Sequence, residues 1–342
     1  MHSPADISSH TQAPGSRVAS ITVTYNGSAS IRRHLQSLRA QTHPLHEIVV
    51  VDNASSDDTR RLVADEFPEV TLIELGNNVG VAGGLAAGIN YAVQKKQYDW
   101  IWTFDQDSFP APDALAQLLT AFDDLFPNND SVALLAPTCS HSSSGMSYPA
   151  LSWRGSGFAL SDLPTARDVD FVDMVISSGS LIRSSVVDEV GLPREDFFID
   201  FVDYEYCLRL RKRGFRIALV GAAVLEHAIG SPATVTFLGT EKSWADHAPW
   251  REYYMARNEI FTIWQYRPFL ATKFFVLRRL VQHALGIFLF GSEKLACLTM
   301  ICRGVIDGLT GRLGIRYLPH QPRTAEPVPH PLRPASLVEK SQ

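Results

Sequence analysis

Residues 100–108 read Trp100-Ile101-Trp102-Thr103-Phe104-Asp105-Gln106-Asp107-Ser108. Apolar and β-prone residues running straight into Asp-Gln-Asp describe a buried strand. Its carboxyl end would deliver two carboxylates into a cleft, where ligands of open α/β sheets sit. Two carboxylates one residue apart repel each other unless a positive charge lies between them. A hard cation, magnesium or manganese, is the simplest such charge, because it takes oxygen ligands and leaves room for substrate phosphates. The competing reading is an Asp-rich turn capping the helix after Pro110.

On the N-terminal side three more strands are expected, over Val18–Tyr25, His46–Asp52 and Val70–Leu75. Ile48, Val49, Val50 and Val51 form a continuous apolar run, as in a strand covered on both faces. Between the strands lie a helix from Ser28, placed to cap it, to Gln41; a second ending near Glu66; and a Gly- and Ala-rich third, Val81–Lys95. In the first, Ile31, Leu35 and Leu38 fall at helical spacing. Strands alternating with helices at short intervals imply βαβ units and a parallel sheet. A dinucleotide fingerprint would follow the first strand, where the chain has only Asn26-Gly27. Gly80, Gly83, Gly84 and Gly88 come after the third strand instead. They let a helix approach either a nucleotide or a neighbouring backbone closely.

On the C-terminal side the pattern gives a helix over Pro112–Phe126 and a strand over Val132–Pro137. A Ser- and Gly-rich stretch, His141–Ser156, reads as a long loop over a site and carries Trp153. A strand Phe171–Ile176 leads into Ser177-Ser178-Gly179-Ser180. A helix Tyr204–Arg213 is closed by Gly214, and an apolar strand Ile217–Leu225 ends at Glu226-His227.

A length of 342 residues suits one large α/β domain with an appendage. The formal net charge of −5 argues against a nucleic-acid binder driven by bulk charge. Cys139, Cys207, Cys297 and Cys302 show no zinc or Cys-x-x-Cys spacing and are expected to be small buried hydrophobes in a reducing compartment. Met1–Ser16 lacks the basic and apolar regions of a signal peptide, and no uncharged apolar run reaches the length of a membrane span. Two C-terminal helices carry apolar stripes. One holds Phe274, Leu277, Val281, Leu285 and Phe288 beside Lys273, Arg278, Arg279 and His283. The other holds Leu295, Leu298, Cys302, Ile306 and Leu309 beside Lys294 and Arg303. Such stripes suit a helix lying at an anionic membrane surface; the alternative is packing on the main domain or on a second subunit of a homo-oligomer. The expected organisation is a disordered segment 1–16, a catalytic domain 17–245 (nucleotide half 17–137, acceptor half 138–245), a helical region 246–316 and a proline-rich tail 317–342.

The order of motifs resembles the inverting family-2 glycosyltransferases of the GT-A fold. The motifs are Asp52-Asn53-x-Ser55-x-Asp57-x-Thr59, Asn77-x-x-Gly80, Asp105-x-Asp107, Asp203 at a helix start, and His227. Further stretches resemble the bacterial rhamnosyltransferases of rhamnolipid synthesis: Thr103–Ser108, Ile176–Gly179, Phe198–Tyr206, Leu225-Glu226-His227-x-Ile229-Gly230, Tyr253-Tyr254-x-x-Arg257-Asn258 and Asp307-Gly308-Leu309. The resemblance implies an α/β GT-A fold with a mostly parallel sheet. It implies a dTDP-L-rhamnose donor, a divalent cation, an amphiphilic glycolipid acceptor such as a monorhamnolipid, and a place at the inner face of the cytoplasmic membrane.

The same resemblance assigns roles. Asp52 would bind base or ribose, although it can equally cap the next helix. Thr24, Tyr25, Asn26, Asn53, Asp57, Asn78, Gly80 and Gln106 would line the donor, Asp105 would bridge ribose and metal, and Arg257 would meet the diphosphate. Asp107 and His227 would hold the metal. Trp153, Ser178, Gly179 and Asp200 would face the acceptor. Asp203 would be the base that takes the acceptor's proton, kept ionised by its helix macrodipole, with Asp200 and Glu205 as substitutes. Rival readings are a surface-polysaccharide rhamnosyl- or galactofuranosyltransferase, a non-catalytic nucleotide-sugar binding module, and a nucleotidyltransferase. The last would need a basic Gly-rich loop that Tyr25-Asn26-Gly27 does not supply.

Overall fold

Apolar, β-branched runs form the first half of the sheet. Strand β1 (Val18–Thr24) is followed by helix α1 (Ile31–Arg39), β2 (Glu47–Asp52), α2 (Thr59–Glu66), β3 (Thr71–Glu74), α3 (Gly80–Lys95) and β4 (Trp100–Asp105). A short β5 (Ser108–Pro110), α4 (Ala114–Leu125) and β6 (Val132–Ser140) come next, then β7 (Ser147–Tyr148), β8 (Leu151–Arg154) and β9 (Gly157–Leu160). The second half comprises β10 (Val169–Val172), β11 (Leu181–Arg183), α5 (Ser184–Val190), α6 (Val202–Lys212), β12 (Arg216–His227), β13 (Ala233–Phe237) and β14 (Thr240–Trp244). Three helices finish it: α7 (Pro249–Tyr266), α8 (Leu270–Phe290) and α9 (Lys294–Thr310). This computed structural model describes residues 16–126, 131–140, 147–148, 150–155, 157–161, 168–227, 233–237, 240–244, 246–267 and 269–319. The expected N-terminal segment before residue 16, the tail after 319, most of 141–149 and the Ile229-Gly230 pair lie outside the described residues.

The main sheet runs β10-β12-β6-β11-β4-β1-β2-β3. Strands β3, β2, β1 and β4 are mutually parallel, as is the β12–β6 pair. β11 enters antiparallel between β4 and β6. The fold is thus α/β, with a mostly parallel sheet flanked by helices. Val49, Val50 and Val51 are completely buried, as expected of a strand covered on both faces. One face packs on α3, where Gly84 and Gly88 leave no room for a Cβ against Val23, Ile21 and Val51. These glycines serve helix–sheet packing and touch no ligand cleft. The other face packs on α1 and α4 through Ile31, Leu35, Trp102 and Leu118.

Local expectations fail where tertiary contacts decide. Ser28 does not cap α1: Ser30 holds the cap position, and Ser28 N–H donates to Asp57 Oδ2. The expected loop over 141–156 contains β7 and the first arm of a β8–β9 hairpin. The strand expected over Phe171–Ile176 is confined to Val169–Val172, and β5 and β11 were not foreseen. Cys302 is exposed rather than buried.

The C-terminal helices are built onto the sheet domain. Gly304 and Gly308 of α9 bring its backbone against Tyr253, Ala256 and Arg257 of α7. Helix α8 packs with Val276, Leu280 and Ile287 inward. From the same inward side Arg279 and His283 meet the buried Glu259 and Glu252 of α7. Its outer side is the apolar stripe Phe274, Leu277, Val281, Leu285 and Phe288, all exposed. Helix α8 is therefore apolar on its outer side as well as its inner one, unlike a usual amphipathic surface helix. No described helix is long and apolar enough to cross a membrane.

Candidate active site

Register brings the first acidic residues together. Thr24 at the end of β1 pairs with Asp52 of β2, and Val23 pairs with Asp105 of β4. The two carboxylates thus flank the end of β1, roughly 10 Å apart at two strand spacings. They sit where the strand order turns back on itself, the usual place for a ligand in such sheets. Asp52 is fully buried; its Oδ2 accepts the Ser55 N–H at 3.0 Å, while Oδ1 has no partner. Helix α2 begins only at Thr59, so Asp52 does not cap it.

Several neighbours assigned to the donor are committed elsewhere. Gln106 Oε1 accepts from Thr24 Oγ1 (2.6 Å) and Tyr25 N–H (2.8 Å), so its side chain locks β4 to β1. Asn53 and Asn78 bond to each other, and their oxygens accept the Val79 and Gly80 N–H groups. Asn26 Oδ1 accepts from Ser56. Burial alone would lift the Asp57 carboxyl, but hydrogen bonds from Thr59 and Ser28 prevail and pull it down to about 2. These contacts tie the ends of β1, β2 and β4 together; Asp52 Oδ1 lacks a hydrogen-bond partner but is itself buried, with Arg60 Nε 3.7 Å from Oδ2.

The second group surrounds Asp105. Its N–H donates to Ser178 Oγ at 2.9 Å. Ser178 Oγ meets Ser108 Oγ at 2.6 Å, and Ser108 Oγ meets His227 Nδ1 at 2.8 Å. His227 reaches Ser108 because β12 pairs with β5 in that register. Asp107 Oδ1 lies 3.5 Å from the same Nδ1. Nδ1 is thus the ring nitrogen that faces both Ser108 and Asp107. Among the described residues no three His, Cys, Asp or Glu side chains form a ready metal cluster. Asp107 and His227, the residues expected to hold a metal, lie side by side, a pair that would need substrate phosphates to complete an ion's shell.

Asp203, in the first turn of α6, lines an apolar cavity with Leu85, Ile89, Val175, Val202 and Cys207. Burial pushes its carboxyl up to about 7 against the bond from the Tyr204 N–H, and the charges of Asp105 and Asp200 push the same way. The side chain keeps some exposure to the cleft. The macrodipole's pull, about 0.3–1 kcal/mol, is thus outweighed, and the expectation of a carboxylate ionised by its helix is corrected. Asp105 is also raised, by burial first, with His227 opposing and Asp107 adding. Asp105 therefore lies within electrostatic reach of Asp107, His227 and Asp203.

Asp200 is held by Arg251 at 2.9 Å, and Glu205 is fully buried between Arg209 and Tyr266. Neither is free to replace Asp203 as a base. Arg257 does not reach the diphosphate. Its guanidinium is completely buried and donates to the carbonyls of Gly314, Asp196 and Phe197. Arg60 lies 3.7 Å from Asp52, and a cation whose charge is felt at Asp105 is Arg251. A signal for it existed: a basic residue in the first turn of a helix opposes the macrodipole, so a partner was to be expected. Trp153 sits in the hairpin against Phe158 and under Arg267, in the cluster around α7 and α8. Gly179 has φ +81 and packs on Pro137 and Leu225, its carbonyl accepting from the Trp102 indole.

The geometry has counterparts. A family profile described as glycosyl transferase family 2 matches residues 20–154. The dTDP-rhamnosyl transferase RfbF of Shigella flexneri is 31% identical over 71% of this chain and 78% of its own length. The galactofuranosyltransferase GlfT1 of Mycolicibacterium smegmatis is 25% identical over 65% of this chain and 74% of its own. A crystal structure of S. aureus TarS 1-349 in complex with UDP superposes with a TM-score of 0.53 at 16% identity, over 88% of this chain and 84% of that one. With the fold, the order of its acidic strand ends and a relative of that identity and coverage in agreement, the chain belongs to glycosyl transferase family 2.

Proposed function

We propose that this glycosyltransferase moves L-rhamnose, with inversion, from dTDP-L-rhamnose to a rhamnosylated lipid, converting a monorhamnolipid to a dirhamnolipid. The observation that carries the reading is the convergence of Asp105, Asp107 and His227 with a lone base candidate, Asp203, beside an apolar wall. The donor sugar rests on the similarity to a dTDP-rhamnosyl transferase. The amphiphilic acceptor, and a peripheral place on the membrane, rest on the outward apolar stripe of α8.

In this reading Asp52 Oδ1, buried and without a partner, takes a hydrogen bond from the thymine imide or the sugar once the nucleotide displaces what covers it. Asp105 holds the nucleotide beside the diphosphate, and Arg251 turns its charge toward the phosphates. A divalent cation bound by Asp107 and His227 would neutralise charge on the departing diphosphate. The acceptor hydroxyl attacks the anomeric carbon, the bond from that carbon to the diphosphate oxygen breaks, and Asp203 receives the hydroxyl proton. A carboxyl near 7 is well matched to that transfer at neutral pH.

A second reading is rhamnosyl or galactofuranosyl transfer to a surface polysaccharide; the relatives' names, a dTDP-rhamnosyl transferase and a galactofuranosyltransferase, speak to the sugar and leave the acceptor open. A panel separates the two. The full chain is offered dTDP-rhamnose or UDP-galactofuranose with monorhamnolipid or a lipid-linked glycan, with and without a chelator. Dirhamnolipid formed from dTDP-rhamnose, and lost on chelation, is the expected result. Extension of the glycan alone replaces the rhamnolipid reading with the polysaccharide one, and donor binding without any transfer would leave only a binding module.

A further inference from the structure

The loop that presents Asp203 is strained. Phe198 has φ 66 and ψ −65, and Ile199 N–H donates to Phe197 O at 2.8 Å. This is a γ-turn of the rare hand. Asp200 (φ 60) and Phe201 (φ 62) then both occupy the left-handed region. Among residues 198–201 three of four are non-glycine residues with positive φ, a concentration that persists only where the surroundings over-determine it. The chain passes directly from these residues into α6, whose second residue is Asp203.

One buried amide makes the most contacts to this loop's carbonyls. Asn258 on α7 is completely buried, and its Nδ2, with two hydrogens shared among three acceptors, lies within hydrogen-bond distance of the carbonyls of Phe197 (3.0 Å), Ile199 (2.8 Å) and Asp200 (2.9 Å). Its oxygen accepts the Arg257 Nε–H at 2.8 Å, which fixes the amide's orientation. Arg257 itself donates to the carbonyls of Asp196 and Phe197 just upstream. From the opposite side Ala82 N–H donates to Phe198 O at 3.0 Å, and Gly80, at φ +75, has no room for a Cβ against that carbonyl. The loop is thus gripped between the start of α3 and the middle of α7.

We infer that Asn258 is a positioning residue: its amide holds residues 197–200 in the strained form that presents Asp203 to the cleft. The inference rests on Asp203 being the base. No other side chain type serves as well at this position. Three outward carbonyls need a donor on a short, rigid stem; aspartate would face them with a charge, and leucine would leave them unpaired in a dry interior.

The test uses the full chain with Asn258→Ala and Asn258→Asp, and with Asn258→Ser, which keeps one donor and serves if the alanine variant does not fold. Hydrogen–deuterium exchange is read on peptides covering 196–206, and kcat and donor KM are measured in parallel. Exchange in that segment should rise selectively, kcat should fall tenfold or more, and donor KM should stay within twofold. Ile260→Ala, a buried change one turn-fraction along the same helix, should lower the melting temperature without either effect. Unchanged loop exchange, or unchanged kcat with a loosened loop, would overturn the inference. Asp203→Asn keeps the two ideas apart: if that variant still turns over at the wild-type rate, the base assignment fails, while loop exchange still decides the clamp.

Discussion

Replacing Asp203 by asparagine should stop the reaction and stabilise the protein. The wild-type carboxyl is lifted from 3.8 to about 7, chiefly by burial. A raised carboxyl binds its proton more tightly in the folded chain than in the unfolded one. Between about pH 4 and pH 7 the folded chain therefore carries the extra proton, and stability falls as pH rises through that window. At 1.36 kcal/mol per pH unit, the full displacement is worth on the order of 4 kcal/mol. The side chain keeps a face toward the cleft, where water screens it, so about 1–3 kcal/mol is the expected cost. Asparagine carries no charge, so the variant should be more stable by that amount at pH 8 and nearly equal to wild type at pH 4, in paired urea melts. Turnover should fall by roughly a hundredfold to ten-thousandfold, the range of a lost general base, and wild-type kcat should rise with pH through about 7. A stability difference of the same size at both pH values, or a variant turning over within tenfold of wild type, refutes the reasoning.

Two further outcomes follow from the placement of charge. Arg257→Met leaves the Gly314 carbonyl and the Asn258 side-chain oxygen without their donor, while Asp196 O keeps the Gly314 N–H and Phe197 O keeps Asn258. At about 1–3 kcal/mol for each buried group left without a partner, the melting temperature should drop sharply while dTDP affinity of the folded fraction stays unchanged by calorimetry; a tenfold loss of affinity at constant melting temperature would restore Arg257 to the diphosphate. Phe274→Glu with Val281→Glu, both on the outer stripe of α8, should release the protein from anionic vesicles in a pelleting assay without altering kcat on a water-soluble acceptor, and undiminished pelleting rejects the stripe as a membrane contact.

The parallel half of the fold was legible because its signals are local. Apolar runs such as Ile48–Val51 and Trp100–Phe104 end in polar turns, and every one of those strands and its following helix formed within a few residues of expectation. Asp105, Asp107, His227 and Asp203 are picked out by the order of motifs in the family resemblance, and the structure brings Asp105 near the other three. What stayed hidden depends on contacts between distant segments. β11 is three residues long and exists because β4 and β6 supply its hydrogen bonds. Arg257 and Arg251 sit six residues apart on α7, and nothing in the sequence says that the first is sealed under Tyr253 and Tyr254 while the second pairs with Asp200 beside the cleft. The ionisation of Asp203 was misjudged because a helix terminus can be read from sequence, whereas an apolar cavity wall assembled from α3, α6 and the sheet cannot.

Helix α7 makes the boundary near residue 245 a boundary of sequence composition more than of mechanics. From it Arg251 reaches Asp200, Arg257 and Asn258 reach the loop before Asp203, and Glu252 and Glu259 bind His283 and Arg279 of α8. Gly314 O, beyond α9, accepts from Arg257, and Tyr317 O accepts from Tyr254. Cutting the chain after Tyr266 would remove α8, α9 and both of those acceptors, and with them the packing that orients Arg257 and Asn258. Such a truncation would lose activity whether or not α8 touches lipid. Only substitutions on the outer stripe leave the inner face of α8 and the grip on Asp203 intact, so they alone separate a surface role of these helices from their part in holding the site.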